Sequence, residues 1–189
     1  MIRAALTEPV PPVHSGLCAF RALVPAAAAP EFACRPAQAV WLGPGRHMVH
    51  YPVSGGELVN LVANTPGRWA LLIRQPLPRW TWGPVTLLGD AAHPMLPFLG
   101  QGAAQAFEDA AMLASCLASG QQNPARALRR YESERIDRAS RVQQGSHARA
   151  DYNHLPDGPE QLARDEALRA AGPLAANAWI YAHDPFSQN

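Results

Sequence analysis

Apolar positions change their spacing along the chain, and the change divides it into a β-rich first part and a helical second part. Residues 17–24 (LCAFRALV) and 48–53 (MVHYPV) are short and partly alternating, and 58–63 (LVNLVA) is an apolar run. Alternation sends successive side chains to opposite faces of a strand, so these segments predict an antiparallel sheet. Only Ser54-Gly55-Gly56 and Glu57 separate the last two, which predicts a β-hairpin. The stretch 26–44 between the first two is rich in Ala and Pro, and Gly43-Pro44-Gly45 marks a tight turn. Beyond Asn64-Thr65-Pro66-Gly67 the pattern stops. There Pro76, Pro78 and Pro84 interleave with Trp69, Trp80 and Trp82, which predicts a connector.

Residues 84–88 (PVTLL) then form a compact apolar run that ends in Gly89-Asp90, as a buried parallel strand does when it delivers a loop to a ligand. After the loop, 103–119 carries Ala106, Phe107, Ala110, Leu113, Ala114 and Leu117 at helical spacing. Asn123 is placed to cap a further helix with Pro124 at its first position, running to about residue 149. Seven arginines in that helix alternate with Glu132, Glu134 and Asp137, a pattern that predicts a solvated face laced by ion pairs one turn apart. A shorter helix is predicted over 159–169.

Composition narrows the function. A chain of 189 residues with 48% hydrophobic and 16% charged residues holds one real core and is globular, either a single domain or a fragment. No window approaches the ~18 apolar residues of a membrane span, and MIRAALTEPVPP has no long apolar stretch before its prolines. A cytoplasmic protein without a membrane partner is expected. The net charge of +1 offers no electrostatic footprint for nucleic acid. All 16 basic residues are arginine, which excludes Schiff-base catalysis, pyridoxal phosphate anchoring and a phosphate-loop lysine. Cys18, Cys34 and Cys116 form no C-x-x-C pair, so they read as buried thiols. His47, His50 and His93 lack an H-x-x-x-H helix and a carboxylate at ligand spacing, so no metal site is expected.

One segment carries chemistry. A strand ending in Gly-Asp, a loop with His93-Pro94 and Pro97, a Gly100-Gln101-Gly102 turn and a long helix together place a carboxylate and unpaired amides near one another. Asp90 suits ribose or ribityl hydroxyls. The N–H groups of Gly102 and Ala103 stand at the positive end of a helix dipole, where an anion is stabilised. Glycine at Gly100 and Gly102 admits a flat ring close to the backbone, and Pro94 and Pro97 stiffen the loop.

The run GDAAHPMLPFLGQGAAQAFEDA resembles the Gly-Asp motif of class A FAD-dependent aromatic monooxygenases, the salicylate hydroxylase and 3-hydroxybenzoate hydroxylase group. CAFRALVPA at 18–26, WLGPGRHMVHYPVSGGELVNLVA at 41–63 and PLPRW at 76–80 resemble further segments of that family in the same order. The resemblance implies an α/β fold, here an α+β fragment. Antiparallel substrate-domain strands are followed by the last parallel strand and C-terminal helices of a Rossmann-like FAD-binding domain. The implied division is 1–80 partial substrate domain, 81–150 C-terminal part of the FAD-binding domain, and 151–189 helical tail. It also implies FAD as cofactor, NAD(P)H as electron donor and a small phenol- or benzoate-type aromatic as substrate. Asp90 is assigned to the FAD ribose, Gly102 with Ala103 to a flavin pyrimidine oxygen, and Pro97 and Gly100 to the ring's surroundings. Gln101 falls where relatives contact substrate, and His47 or His50 lies on a strand facing the pocket. An imidazole there suits phenol deprotonation, and equally both histidines read as polar strand residues without a catalytic role.

The family's opening G-x-G-x-x-G unit has no counterpart in the chain. Ile2-Arg3-Ala4-Ala5-Leu6 resembles the residues just after a later Asp-Gly motif of the family, and VANTPGRW joins across a stretch that relatives fill with another strand and helices. A truncated chain with an internal deletion is therefore expected. Its strand at 85–88 should show an open apolar edge. Either it is weakly FAD-binding alone, or it is a non-catalytic module that pairs with a separately encoded N-terminal half or self-associates.

Overall fold

In a computed structural model, which describes residues 2–8, 10–67, 71–120 and 123–185, the chain begins with α1 (Ile2–Leu6) and β1 (Val13–His14). Four strands come next: β2 (Leu17–Pro25), β3 (Ala39–Gly43), β4 (Arg46–Val53) and β5 (Leu58–Pro66). They form one antiparallel sheet in the order β2-β5-β4-β3. The expected hairpin is β4–β5, closed by Ser54–Gly56 with Gly55 at φ 66°, a backbone conformation that suits glycine. The Ala- and Pro-rich stretch supplies two short 3-10 turns, Ala26–Ala28 and Glu31–Cys34, and also β3, which pairs with β4 across the turn at Gly45. Cys18 and Val59 are buried in this sheet, and Gly67 lies so close that an added Cβ would stand 2.6 Å from Cys18 Sγ.

The second half contains β6 (Leu72–Ile73), β7 (Thr81–Trp82), β8 (Val85–Thr86), α2 (Gly102–Ser119), α3 (Pro124–Asn153), α4 (Pro159–Ala175) and α5 (Ala178–Tyr181). Two compact units result. One comprises Met1–Val13, Ile73–Arg149 and Ala171–Asn189, the other His14–Leu72 and Ala150–Ala170. No helix among the described residues is long and apolar enough to cross a membrane.

Two expectations change here. The run at 84–88 does not pair in parallel. Val85–Thr86 is antiparallel to Thr81–Trp82, because the nearest strand available to it is its own hairpin partner. Leu87 is buried and its N–H donates to Trp80 O at 2.9 Å, whereas Val85 and Leu88 are 37% and 40% exposed, an apolar edge as expected. Trp80 is no surface connector residue. It is fully buried at the centre of a core built with Leu87, Ala92, Met112, Cys116, Ala127, Tyr131 and Ala139. Trp69, read as part of the same connector, lies outside the described residues.

Helices start where the caps predict. Arg126 N–H donates to Asn123 Oδ1 at 3.0 Å, with Pro124 at the first helical position of α3. The apolar spacing of α2 gives the helix but does not single out the residues it buries. Its buried residues are Gln105, Asp109, Met112 and Cys116, while Phe107 is 75% exposed. Gln105 and Asp109 turn inward because both side chains bond to a buried arginine of α3, Arg135.

Candidate functional site: the Gly89–Asp90 loop and helix α2

The loop after β8 is held from behind by one carboxylate. Asp109 Oδ2 accepts from Gly89 N–H at 2.8 Å and from His93 Nε2 at 2.6 Å, so both ends of the segment 89–93 are tied to α2. Within the segment, Ala92 and His93 both donate their N–H groups to Gly89 O at 2.9 Å. Gly89 sits at φ 55°, and a Cβ there would approach Ala106 Cβ to 3.3 Å, so the position favours glycine on two counts. Arg3 adds an outer tie by donating to Ala91 O at 3.1 Å.

Asp109 is in turn paired with Arg135, whose Nε donates to Asp109 Oδ1 at 2.9 Å. The same guanidinium donates to Glu108 Oε2 at 2.5 Å and to Gln105 Oε1 at 2.8 Å. Arg138 adds a two-pronged contact to Glu108, at 2.8 and 2.9 Å. Arg135 is 1% exposed and Asp109 wholly buried, so this side of α3 carries an internal network, while on its solvated side Arg130 and Glu134 form the expected ion pair one turn apart. Arg141 lies 4.1 Å from the centre of the Trp179 ring. Burial alone would raise the carboxyl of Asp109. The His93 hydrogen bond, the Gly89 N–H, the His93 charge and the Arg135 bond outweigh it and hold the group below the usual carboxylate range. Glu108 is lowered against its own burial by Arg138 and Arg135.

In front of this scaffold lie six of the residues singled out from sequence. Asp90 is exposed and makes no hydrogen bond or ion pair among the described residues, leaving its carboxylate open to hydroxyl donors. Pro97 opens a 3-10 turn, Pro97–Leu99, that ends at Gly100 with φ 65°. Gln101, 7% exposed, is the N-cap of α2 but gives no side-chain cap, so the first amides of α2, at Gly102 and Ala103, lack an intrahelical acceptor. A Cβ at Gly100 would meet nothing within 4 Å, so there is open space beside that glycine. An acceptor carboxylate, free amides at a positive helix end and space beside a left-handed glycine fit the hydroxyls and the anionic edge of a flavin nucleotide.

His47 and His50 belong to the sheet unit. His47 stands opposite Asn64 in the β4–β5 ladder, and Asn64 Nδ2 donates to its Nε2 at 3.0 Å. The remaining nitrogen, Nδ1, then carries the proton and donates it to His154 Nε2 at 2.6 Å. Burial, and next the neighbouring imidazole, lower the pKa of His47 to about 4. His50 is 2% exposed, stacked against Trp41 and edge-on to Phe32, and neither of its ring nitrogens has a hydrogen-bond partner among the described residues. Sequence reasoning missed Asp109, Arg135 and His154. The signal available for the first two was an acidic pair inside a helix otherwise made of small and apolar residues. For His154 there was none.

Known proteins resemble this chain. Residues 72–146 match the family model described as FAD binding domain. The chain is 38% identical to 3-amino-4-hydroxybenzoate 2-monooxygenase of Streptomyces cremeus over 204 residues, which covers 90% of this chain and 52% of that protein. It is 34% identical to 3-hydroxybenzoate 6-hydroxylase 1 of Aquipseudomonas alcaligenes, covering 89% of this chain and 52% of that one. Its fold superposes on a salicylate hydroxylase substrate complex with TM-score 0.79 at 26% identity, covering 97% of this chain and 58% of the other. The first of these aligned stretches is longer than the chain itself, so that relative carries residues within it that the chain lacks. The chain thus spans about half the length of the relatives it matches. Sequence and fold together identify it as a relative of the FAD-dependent aromatic monooxygenases, in the salicylate and 3-hydroxybenzoate hydroxylase group.

Proposed function

We propose that the chain provides the flavin-side cradle of an FAD-dependent monooxygenase that hydroxylates a small phenol- or benzoate-type aromatic with NAD(P)H and O2 in the cytoplasm. The observation that carries this reading is the unbonded Asp90 carboxylate in the same loop-and-helix device as the uncapped amides of Gly102 and Ala103. The names of the relatives support the substrate class, since each is a hydroxylase or monooxygenase of a hydroxylated benzoate or a salicylate hydroxylase.

In this reading FAD, when bound, supplies the redox chemistry. The residues of the chain bind and orient. Asp90 accepts from the ribose, Gly102 and Ala103 donate to the pyrimidine oxygen, and Pro97 and Gly100 flank the ring. Gln101, held at the N-terminus of α2, contacts the substrate beside the flavin. Of the two histidines, either of which would suit a phenolic proton, His50 has neither ring nitrogen hydrogen-bonded among the described residues, whereas His47 is committed to Asn64 and His154. The second reading, a module that pairs with a separately supplied N-terminal half, is favoured by the exposed apolar edge at Val85 and Leu88.

Titrating purified chain with FAD and monitoring flavin fluorescence tests the cradle. Saturable quenching that weakens at least tenfold in Asp90→Ala, with circular dichroism unchanged, is the expected outcome. The absence of saturable binding at up to ~1 mM FAD, whether the chain is alone or mixed with the N-terminal half of a relative, rules it out.

A further inference from the structure

Between the Gly89–His93 segment and the turn at Pro97 runs a stretch with no regular structure, residues 94–96. Pro94 and Pro97 have no N–H to donate, and Leu96 is extended, at φ −66° and ψ 152°. Leu96 is nevertheless 4% exposed, and buried carbonyls need donors. Helix α3 supplies them. Gln143 Nε2 donates to Pro94 O at 2.9 Å and to Arg74 O at 2.8 Å, and Ser146 Oγ donates to Leu96 O. Both side chains are wholly buried. Two accepting carbonyls fix the way round of the Gln143 amide, since turning it over would set its oxygen against both.

Residues 143 and 146 are neighbours on one face of the helix, and they meet carbonyls two residues apart in the loop. At Gly145, between them, an added Cβ would stand 3.5 Å from Leu99 Cδ1, so the Pro97–Leu99 turn lies against the same part of α3. The hold takes over where the Asp109 pin ends: Asp109 fastens residues 89 and 93, and the stretch from 94 leads on to Gly100, Gln101 and the open amides of Gly102 and Ala103. A loop already ordered by its scaffold has less freedom to lose when a ligand arrives, so the ordering is read out as affinity. We propose that Gln143 and Ser146 are positioning residues of the cradle, which set the Pro94–Gly100 loop, and with it the amides at 102 and 103, in the shape that receives the flavin edge. This rests on the cradle reading and assigns its shape to two buried, uncharged side chains of α3.

Amide hydrogen exchange on the purified full chain without flavin, followed by FAD titration of the same samples, tests it. In Ser146→Ala and in Gln143→Met, exchange at residues 98–103 is expected to quicken roughly fivefold or more, the effect of one lost buried hydrogen bond. Residues 110–116, in the middle of α2, should change less than about twofold, and FAD should bind roughly fivefold more weakly. Leu128→Ala removes a buried side chain about four turns earlier on α3 and controls for a merely structural role. It is expected to lower the melting temperature while leaving loop exchange and FAD affinity within about twofold. Exchange unchanged in both variants, exchange raised equally at 110–116, FAD bound by both variants as tightly as by the unmodified chain, or the same loop loosening in Leu128→Ala overturns this proposal alone. An unmodified chain that binds no FAD, with the loop still loosened in the variants, removes instead the cradle reading and with it the flavin role of the two residues.

Discussion

His93 Nε2 and Asp109 Oδ2 stand 2.6 Å apart, both buried, and this contact fastens the far end of the Gly89–His93 loop to helix α2. The Asp109 carboxylate is the hinge pin of the candidate site, although it is turned away from the face that Asp90 presents.

Removing that pin takes one of two carboxylates from the buried Arg135 and leaves Glu108 as the other. Asp109→Asn is expected to lower stability by about 3 kcal/mol, because an amide cannot accept from Gly89, His93 and Arg135 as the carboxylate does. The double variant Asp109→Asn with Arg135→Met should recover part of that loss. Urea denaturation monitored through tryptophan fluorescence gives both values.

Glycine is required at the start of the loop. Gly89→Ala forces a left-handed backbone on alanine and brings its Cβ against Ala106, so a loss of about 1–2 kcal/mol is expected. Gly55→Ala at the hairpin has the same sign of φ but open space around it, and should cost less. Comparing the two melting curves separates the crowding from the backbone term.

The cap of α3 predicts a local effect. Asn123→Ala removes the side-chain acceptor for Arg126 N–H and should cost about 1 kcal/mol, with Asn123→Asp close to neutral. Chemical denaturation resolves that difference.

Stability should fall with acidification in two stages. His47 has a folded pKa of about 4, below the ordinary histidine value of ~6.5, so between these values the unfolded chain binds more protons than the folded one. Its contribution is complete above about pH 6.5 and is lost as the pH falls towards 4. Asp109 and Glu108, also lowered on folding, lose theirs below the ordinary carboxylate range, as the pH falls through their folded values. Melting temperature measured from pH 8 to pH 4 should drop less steeply between 6.5 and 4.5 in His47→Gln. An unchanged slope there would show that the His47–His154 contact does not set the first stage.

Local signals were legible and long-range ones were not. The β4–β5 hairpin, the Asn123-Pro124 start of α3 and the Gly89-Asp90 loop all come from neighbouring residues whose backbone demands are visible in order. Strand β3 was hidden because its partner, β4, decides its conformation more than the five residues of AVWLG do. Trp80 stood among prolines and was read as part of a connector, yet a large aromatic ring is buried wherever a core has room for it. The spacing of α2 shows a helix but not which of its residues are buried. A stripe of apolar side chains points inward only when no stronger claim exists, and Arg135, 26 residues beyond Asp109, made that claim on the opposite side.

Glu132 bears on how the loop is assembled in time. Its Oε2 accepts the backbone N–H groups of Trp80 and Thr81, 52 and 51 residues earlier, at 2.8 and 2.5 Å. The short β7–β8 ribbon thus begins on amides that only α3 satisfies, and a two-stranded ribbon of this length does not persist alone in water. The Asp90 loop, which grows out of that ribbon, must therefore order late, after a helix nucleated far downstream has docked. A nascent chain emerging from the ribosome has to complete most of α3 before its cofactor-facing carboxylate comes to rest.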